Sequence, residues 1–322
     1  MKQDLLICTP AMSNADYDAA LGPYFNLHYA RTPDDQRKVL NADWLRPIRA
    51  IYTTGQHAII PELIEAMPNL EIVACRGTGY DAIDIELMNK KGIFLSYGAG
   101  ANAPSVADHA MTLMLSTVRK VPQLDSAVRQ GKWVDSRGLQ PIATGKRLGI
   151  IGMGGVGTGL AKRAVSFDMT VAYHTRNKRE VPYRYCTSVL ELAKESDILV
   201  ACIPGGKETK HIVNRAVLDA LGPQGFFINV ARGSVVDTEA LVAALTEGRI
   251  AGAGLDVVDG EPEVPAALLK APNVVITPHI GARSPEASEK AFELAVANLQ
   301  AHFAGKPLLT PIPGSAGRRR AA

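Results

Sequence analysis

Short apolar runs recur along the whole chain, and the stretches between them carry apolar residues at helical spacing. In the first hundred residues the runs are DLLIC, NLHYA, RAIYT, EIVAC and GIFLS. From residue 147 onward they are RLGIIG, MTVAY, DILVA, GFFINV, AGAGLDV and NVVITPH. Apolar residues on successive positions suit strands covered on both faces. Segments such as PELIEAMPN read as helices. Strand–helix alternation predicts the α/β class, with parallel sheets wound by helices on both sides.

Between the two series lies NAPSVADHAMTLMLSTVRK, residues 102–120. Val106, Ala110, Leu113 and Met114 share one helical face, and Pro104 and Ser105 mark the start. The spacing predicts one long helix leading into a second domain. Another helix, over 284–305, follows the last strand and is expected to return to the first domain. The expected organisation is a substrate domain of residues 1–100 plus 284–322 and a dinucleotide-binding domain of residues 101–283, with a cleft between them.

Composition narrows the function. A chain of 322 residues suggests about two domains. With 47% hydrophobic and 21% charged residues and a net charge of +3, nothing argues for nucleic acid or a membrane as partner. Cys8, Cys75, Cys186 and Cys202 form no C-x-x-C pair and read as reduced core thiols, which predicts a cytoplasmic protein. No metal site is expected. The N-terminal MKQDLLICTP is too short and polar for a signal peptide. The tail PGSAGRRRAA, with Arg318–Arg320, reads as a solvated end.

Candidate chemistry begins at LGIIGMGGVGTGLA, where Gly152, Gly154 and Gly157 follow an apolar strand and open a helix. Gly152 permits a tight turn, Gly154 a close approach of pyrophosphate, and Gly157 close packing of helix on strand. With Gly155 and Val156 these residues form a candidate dinucleotide site at a helix N-terminus. Both domains are accordingly expected to be Rossmann-like, doubly wound parallel sheets. The ribose 2′-hydroxyl normally meets a carboxylate about 20 residues further on. Here VAYHTRNKRE supplies His174, Thr175, Arg176, Lys178 and Arg179 instead. A guanidinium suits a 2′-phosphate, which a carboxylate would repel. The expected cofactor is NADP(H), with NAD as the alternative.

Three further strand ends carry polar residues: Arg232 after FFINV, Asp256 and Glu261 in GLDVVDGEPEV, and His279 in TPHIGARS. Ligands of open α/β sheets gather beyond the carboxyl ends of the strands. Reduction of a 2-oxo acid needs a proton donor and a carboxylate clamp. His279 suits the first task, Glu261 suits orienting it, and Arg232 suits the second.

The segments GIIGMGGVG, PGGKETKHIV, INVARGSVVDTEAL, GAGLDVVDGEP and TPHIGARSPEA together resemble the D-isomer-specific 2-hydroxyacid dehydrogenases over about residues 50–310. Within that family the chain looks most like the glyoxylate/hydroxypyruvate reductases. The resemblance implies that Thr78 and Gly79, in RGTGYDAID, offer N–H groups to the substrate carboxylate. It implies that Ile203 and Pro204 line the adenine pocket, and that Asp256 binds the nicotinamide carboxamide with the backbone near Val230 and Ala231. Arg232, Glu261 and His279 fall on the family's catalytic positions. A homodimer formed through the cofactor domain and its long first helix is implied as well. Two departures stand out. Asp108 replaces the family's glutamate, and Gly155 replaces a bulkier residue, which is expected to leave more space by the pyrophosphate. A larger 2-oxo acid (2-ketogluconate or an aromatic pyruvate) is an alternative substrate, and a non-catalytic, corepressor-like nucleotide sensor an alternative function. Trp133 reads as a hydrophobic anchor for its loop, with reach into a neighbouring subunit's pocket as the alternative.

Overall fold

The computed structural model describes residues 2–271 and 273–317; Arg318–Arg320 lie outside the described residues. The chain divides into two compact units, Met1–Asn102 with Pro285–Ala322, and Ala103–Ser284.

The first unit holds β1 (Gln3–Ile7), β2 (Phe25–Tyr29), β3 (Ala50–Thr53), β4 (Ile72–Cys75) and β5 (Phe94–Ser96), parallel and in the order β2-β1-β3-β4-β5. Successive side chains point to opposite faces, so a run apolar at every position feeds two cores. Leu6, Ile51, Val73 and Leu95 join Leu63 and Ile64 of helix Pro61–Ala66 on one side. Leu5, Ile7, Tyr52 and Ile72 join Ala295, Val296 and Leu299 of helix Pro285–Phe303 on the other. Each fully buried Leu or Ile contributes roughly 1.5–3 kcal/mol.

The second unit holds β6 (Arg147–Ile151), β7 (Thr170–His174), β8 (Arg184–Tyr185), β9 (Ile198–Ala201), β10 (Phe226–Asn229), β11 (Gly252–Leu255) and β12 (Val274–Ile276). The order β12-β11-β10-β9-β6-β7-β8 reverses between β6 and β9, as in the dinucleotide-binding doubly wound folds. The expected long helix spans Ala103–Val118, and Pro104 takes an early position where its missing N–H costs nothing. Its apolar face is used within the unit. Ala110, Leu113, Met114 and Val118 lie with Leu148, Ile150, Leu160, Ala161 and Ala164 in one core. That face is therefore core rather than a surface for a second copy.

Trp133 differs from expectation. It is 64% exposed and does not anchor its loop by burial; Val134, Leu139 and Ile142 nearby are exposed too. The four cysteines are free thiols; Cys8, Cys75 and Cys186 are buried, and Cys202 partly so. Among the described residues no helix is long and apolar enough to cross a membrane. Among them, too, no group of three or more His, Cys, Asp or Glu is placed to hold a metal ion.

Candidate active site

The glycine turn lies where the strand order of the second sheet reverses. Gly152, with φ 101°, follows β6, and its N–H donates to His174 O at 2.9 Å. A Cβ there would lie 2.6 Å from Ile203 Cγ2 and 2.7 Å from Cys202 O, just past β9. At Gly157 it would lie 2.0 Å from Gly152 O, so no side chain fits between turn and helix. Helix Gly155–Val165 starts from Gly154, which offers no side-chain cap and has open space where a Cβ would stand. The first-turn N–H groups of Gly155, Val156 and Gly157 thus keep their partial positive charge for an anion. A Cβ on Gly155 would meet Ala103 Cβ at 3.0 Å, so its small size serves the packing of two helices.

The end of β7 carries the basic cluster. His174 Nδ1 donates to Cys186 O at 2.9 Å, and its ring stacks on Tyr185. Thr175 Oγ1 donates to Asn177 O at 2.7 Å, and so is engaged within the loop. Arg176 extends into solvent, where Nη2 meets Glu208 Oε2 at 2.6 Å. Glu208 lies on the loop after β9, as do Ile203 and the exposed Pro204, whose carbonyl accepts from Thr209 Oγ1 at 2.9 Å.

Past the ends of β10, β11 and β12 a second group is tied together. The buried Asn229 accepts from Ala231 N at 3.0 Å and donates to Arg232 O at 3.0 Å, shaping the Val230–Ala231–Arg232 turn. Its backbone oxygen accepts from Asp256 N at 2.9 Å. Gly233 brings that turn against the next loop, since a Cβ there would lie 2.1 Å from Val258 C. Arg232 Nη1 donates to Ala231 O at 2.8 Å.

Glu261 Oε1 and His279 Nδ1 are 2.7 Å apart. A carboxylate only accepts, so Nδ1 carries hydrogen toward Glu261 and Nε2 is the ring nitrogen left outside this pair. Asp256, 3% exposed, accepts from His109 Nε2 (3.1 Å), Thr277 Oγ1 (2.7 Å), Ile280 N (2.9 Å) and Gly281 N (2.9 Å). Burial alone pushes this carboxyl up; the four hydrogen bonds outweigh it and hold it down at about 2. Asp108 pairs with Arg163 of the glycine-turn helix, Oδ1 to Nε at 2.6 Å.

Thr78 and Gly79 belong to the first unit, beyond β4. Asn102 Nδ2 donates to Thr78 Oγ1 at 2.9 Å, and Gly79 O abuts Gly55, where a Cβ would come within 2.4 Å. Among the described residues no acceptor meets the N–H of Thr78 or Gly79. Sequence reasoning overlooked His109, Thr277, Asn229 and Glu208. His109 lay inside a helical pattern, with nothing local to mark it.

The family model for the D-isomer specific 2-hydroxyacid dehydrogenase, NAD binding domain, matches residues 111–281. The chain is 45% identical over 267 residues to a hydroxyphenylpyruvate reductase of Plectranthus scutellarioides, covering 82% of this chain and 85% of that protein. It is 42% identical over 279 residues to glyoxylate/hydroxypyruvate reductase A of Arabidopsis thaliana, covering 86% and 89%. Among solved structures, the NADPH-dependent glyoxylate/hydroxypyruvate reductase of Sinorhizobium meliloti, in complex with NADP and malonate, superposes with a TM-score of 0.88. That match has 36% identity and covers 100% of both chains. With the doubly wound sheets, the glycine turn and the paired histidine and glutamate, these similarities place the chain in the D-isomer-specific 2-hydroxyacid dehydrogenase family.

Proposed function

We propose that the protein reduces small 2-oxo acids, glyoxylate and hydroxypyruvate foremost, to 2-hydroxy acids with NADPH. The observation that carries this reading is the His279–Glu261 pair at 2.7 Å, past the strand ends that also present Arg232. When bound, NADPH supplies the hydride for the carbonyl carbon. The residues present suit it: an uncapped helix N-terminus for pyrophosphate, Ile203 and Pro204 for adenine, and Arg176, Thr175 and His174 beside the 2′-phosphate. Asp256 Oδ2 accepts from Gly281 N and is the proposed acceptor for a carboxamide, with the backbone of Val230 and Ala231 as the proposed further partners. His279 gives its Nε2 proton to the carbonyl oxygen. Glu261 keeps the ring oriented through its contact with Nδ1. Arg232 neutralises charge on the substrate carboxylate and the nascent alkoxide. The N–H groups of Thr78 and Gly79 are the proposed further donors to that carboxylate.

In this reading residues 1–100 plus 284–322 form the substrate domain and 101–283 the cofactor domain, supported by the family match over 111–281. A cytoplasmic homodimer is part of the proposal. The exposed apolar residues Trp133, Val134, Leu139 and Ile142 support a second copy as partner. A second substrate reading, an aromatic pyruvate, is favoured by the Plectranthus relative. Initial rates with glyoxylate, hydroxypyruvate, hydroxyphenylpyruvate and 2-ketogluconate, each with NADPH and NADH, test both. No turnover of the two smallest acids would end the first reading.

A further inference from the structure

Three consecutive backbone N–H groups meet one aspartate. His279 N donates to Asp256 O, Ile280 N to Oδ1 and Gly281 N to Oδ2, each at 2.9 Å. His279 heads this series with φ 52°, in the left-handed region that a non-glycine residue occupies only under restraint. Successive N–H groups in a turn form a concavity for an anion, and here the anion is a side chain of the same unit. The fit is tight: a Cβ on Gly281 would come within 2.9 Å of Asp256 Oδ2 and 3.4 Å of His109 Cδ2.

Two residues one helical turn apart complete the clasp. His109 Nε2 lies 3.1 Å from Asp256 Oδ1 and 2.9 Å from Thr277 Oγ1. The Thr277 hydroxyl donates to Oδ1 at 2.7 Å, so its oxygen accepts from His109, and Nε2 carries the hydrogen. Ser105 Oγ donates to Gly281 O at 2.6 Å. Both residues project from helix Ala103–Val118, which Ala110, Leu113 and Met114 fasten into the core. The carboxylate is thus fixed from the helix side, while its other contacts belong to the turn it restrains.

We infer that His109 is a positioning residue: through Asp256 and Thr277 it holds the left-handed turn that presents the His279 imidazole to the substrate. The inference rests on the reading of His279 as proton donor. Without His109 the carboxylate keeps its turn contacts but loses its tie to the helix. The imidazole is then misplaced while the fold persists.

The test compares His109→Leu, which fills the space without a donor, with His109→Gln, whose side-chain amide restores an N–H. Steady-state kinetics are read beside amide hydrogen exchange over residues 277–283. For His109→Leu, faster exchange across the turn is expected. A kcat loss of roughly 10- to 100-fold should accompany a nearly unchanged KM for the 2-oxo acid, as misplacement by about 1 Å produces. His109→Gln is expected to recover most of both. Equal impairment of the two variants would reduce His109 to packing, and unchanged exchange and kcat in His109→Leu would overturn the inference. If the wild-type protein turns over no 2-oxo acid, the proton-donor reading fails separately, and exchange alone decides whether the clasp exists.

Discussion

Arg176 Nη2 lies 2.6 Å from Glu208 Oε2, so the guanidinium proposed for a 2′-phosphate already holds an anion of its own. The side chains are 79% and 74% exposed, and a pair so solvated is worth about 0–1 kcal/mol. A phosphate displaces the carboxylate at small cost. Glu208→Gln is therefore expected to lower the KM for NADPH by at most about fivefold and to leave that for NADH unchanged. Arg176→Ala removes a charge-assisted contact and should raise the NADPH KM roughly 10- to 100-fold, with little effect on NADH. An unchanged ratio of kcat/KM for the two cofactors in Arg176→Ala would show that the basic cluster is not read.

The His279–Glu261 contact predicts a hierarchy of activity losses. Loss of a general acid costs about 10²–10⁴ in rate, and His279→Ala should fall in that range. Glu261→Gln keeps the size of the side chain but can turn an amide N–H toward Nδ1, favouring the wrong tautomer. It should lower kcat at least about 10-fold and leave cofactor binding, followed by NADPH fluorescence, near wild type. Robust turnover by His279→Ala would remove the histidine from the mechanism.

Asp256 sets a pH dependence of stability. Its carboxyl is held at about 2 in the folded protein, against about 3.9 in an unfolded chain. The depressed value means that stabilisation is fully present above the unfolded value and disappears as pH falls through about 2. The difference corresponds to about 2.6 kcal/mol. Asp256→Asn should therefore be less stable at neutral pH, with a shallower decline in stability below about pH 4. Urea unfolding across acidic pH reads both, and parallel declines for the two proteins would contradict the argument.

The contact between Gly157 and Gly152 O predicts a cost for the smallest side chain. A Cβ at 2.0 Å from a backbone oxygen forces helix and strand apart, so Gly157→Ala should lose about 1–3 kcal/mol. Gly155→Ala, facing Ala103 Cβ at 3.0 Å, should lose less. Denaturant midpoints of the two variants provide the comparison.

The inner strands were legible because both faces are buried: Ile198–Ala201 and Phe226–Asn229 carry no solvent-facing positions to break the apolar run. The short edge strand Arg184–Tyr185 was not, because one of its two residues is exposed and the other only partly buried. The glycine turn, Arg232, Glu261 and His279 could be named because backbone geometry and reaction chemistry restrict those positions to few residue types. The His109–Asp256 contact spans 147 positions and depends on how a helix is rotated against a sheet, which no local pattern records. Trp133 stayed open for a similar reason: apolar character in a loop does not say whether anything covers it, and the side chain is exposed in this chain.

The isolation of the cysteines bears on how the protein can be observed. Burial raises the Cys75 thiol to about 12; burial, with the Glu195 and Glu191 carboxylates, raises that of Cys186 to about 11. At neutral pH the nucleophilic thiolate is then on the order of one part in ten thousand or fewer at either site. An alkylating reagent can label them appreciably only when a core opens. Because Cys75 ends β4 and Cys186 follows β8, labelling followed by peptide mapping would time the breathing of each unit independently, without an added probe.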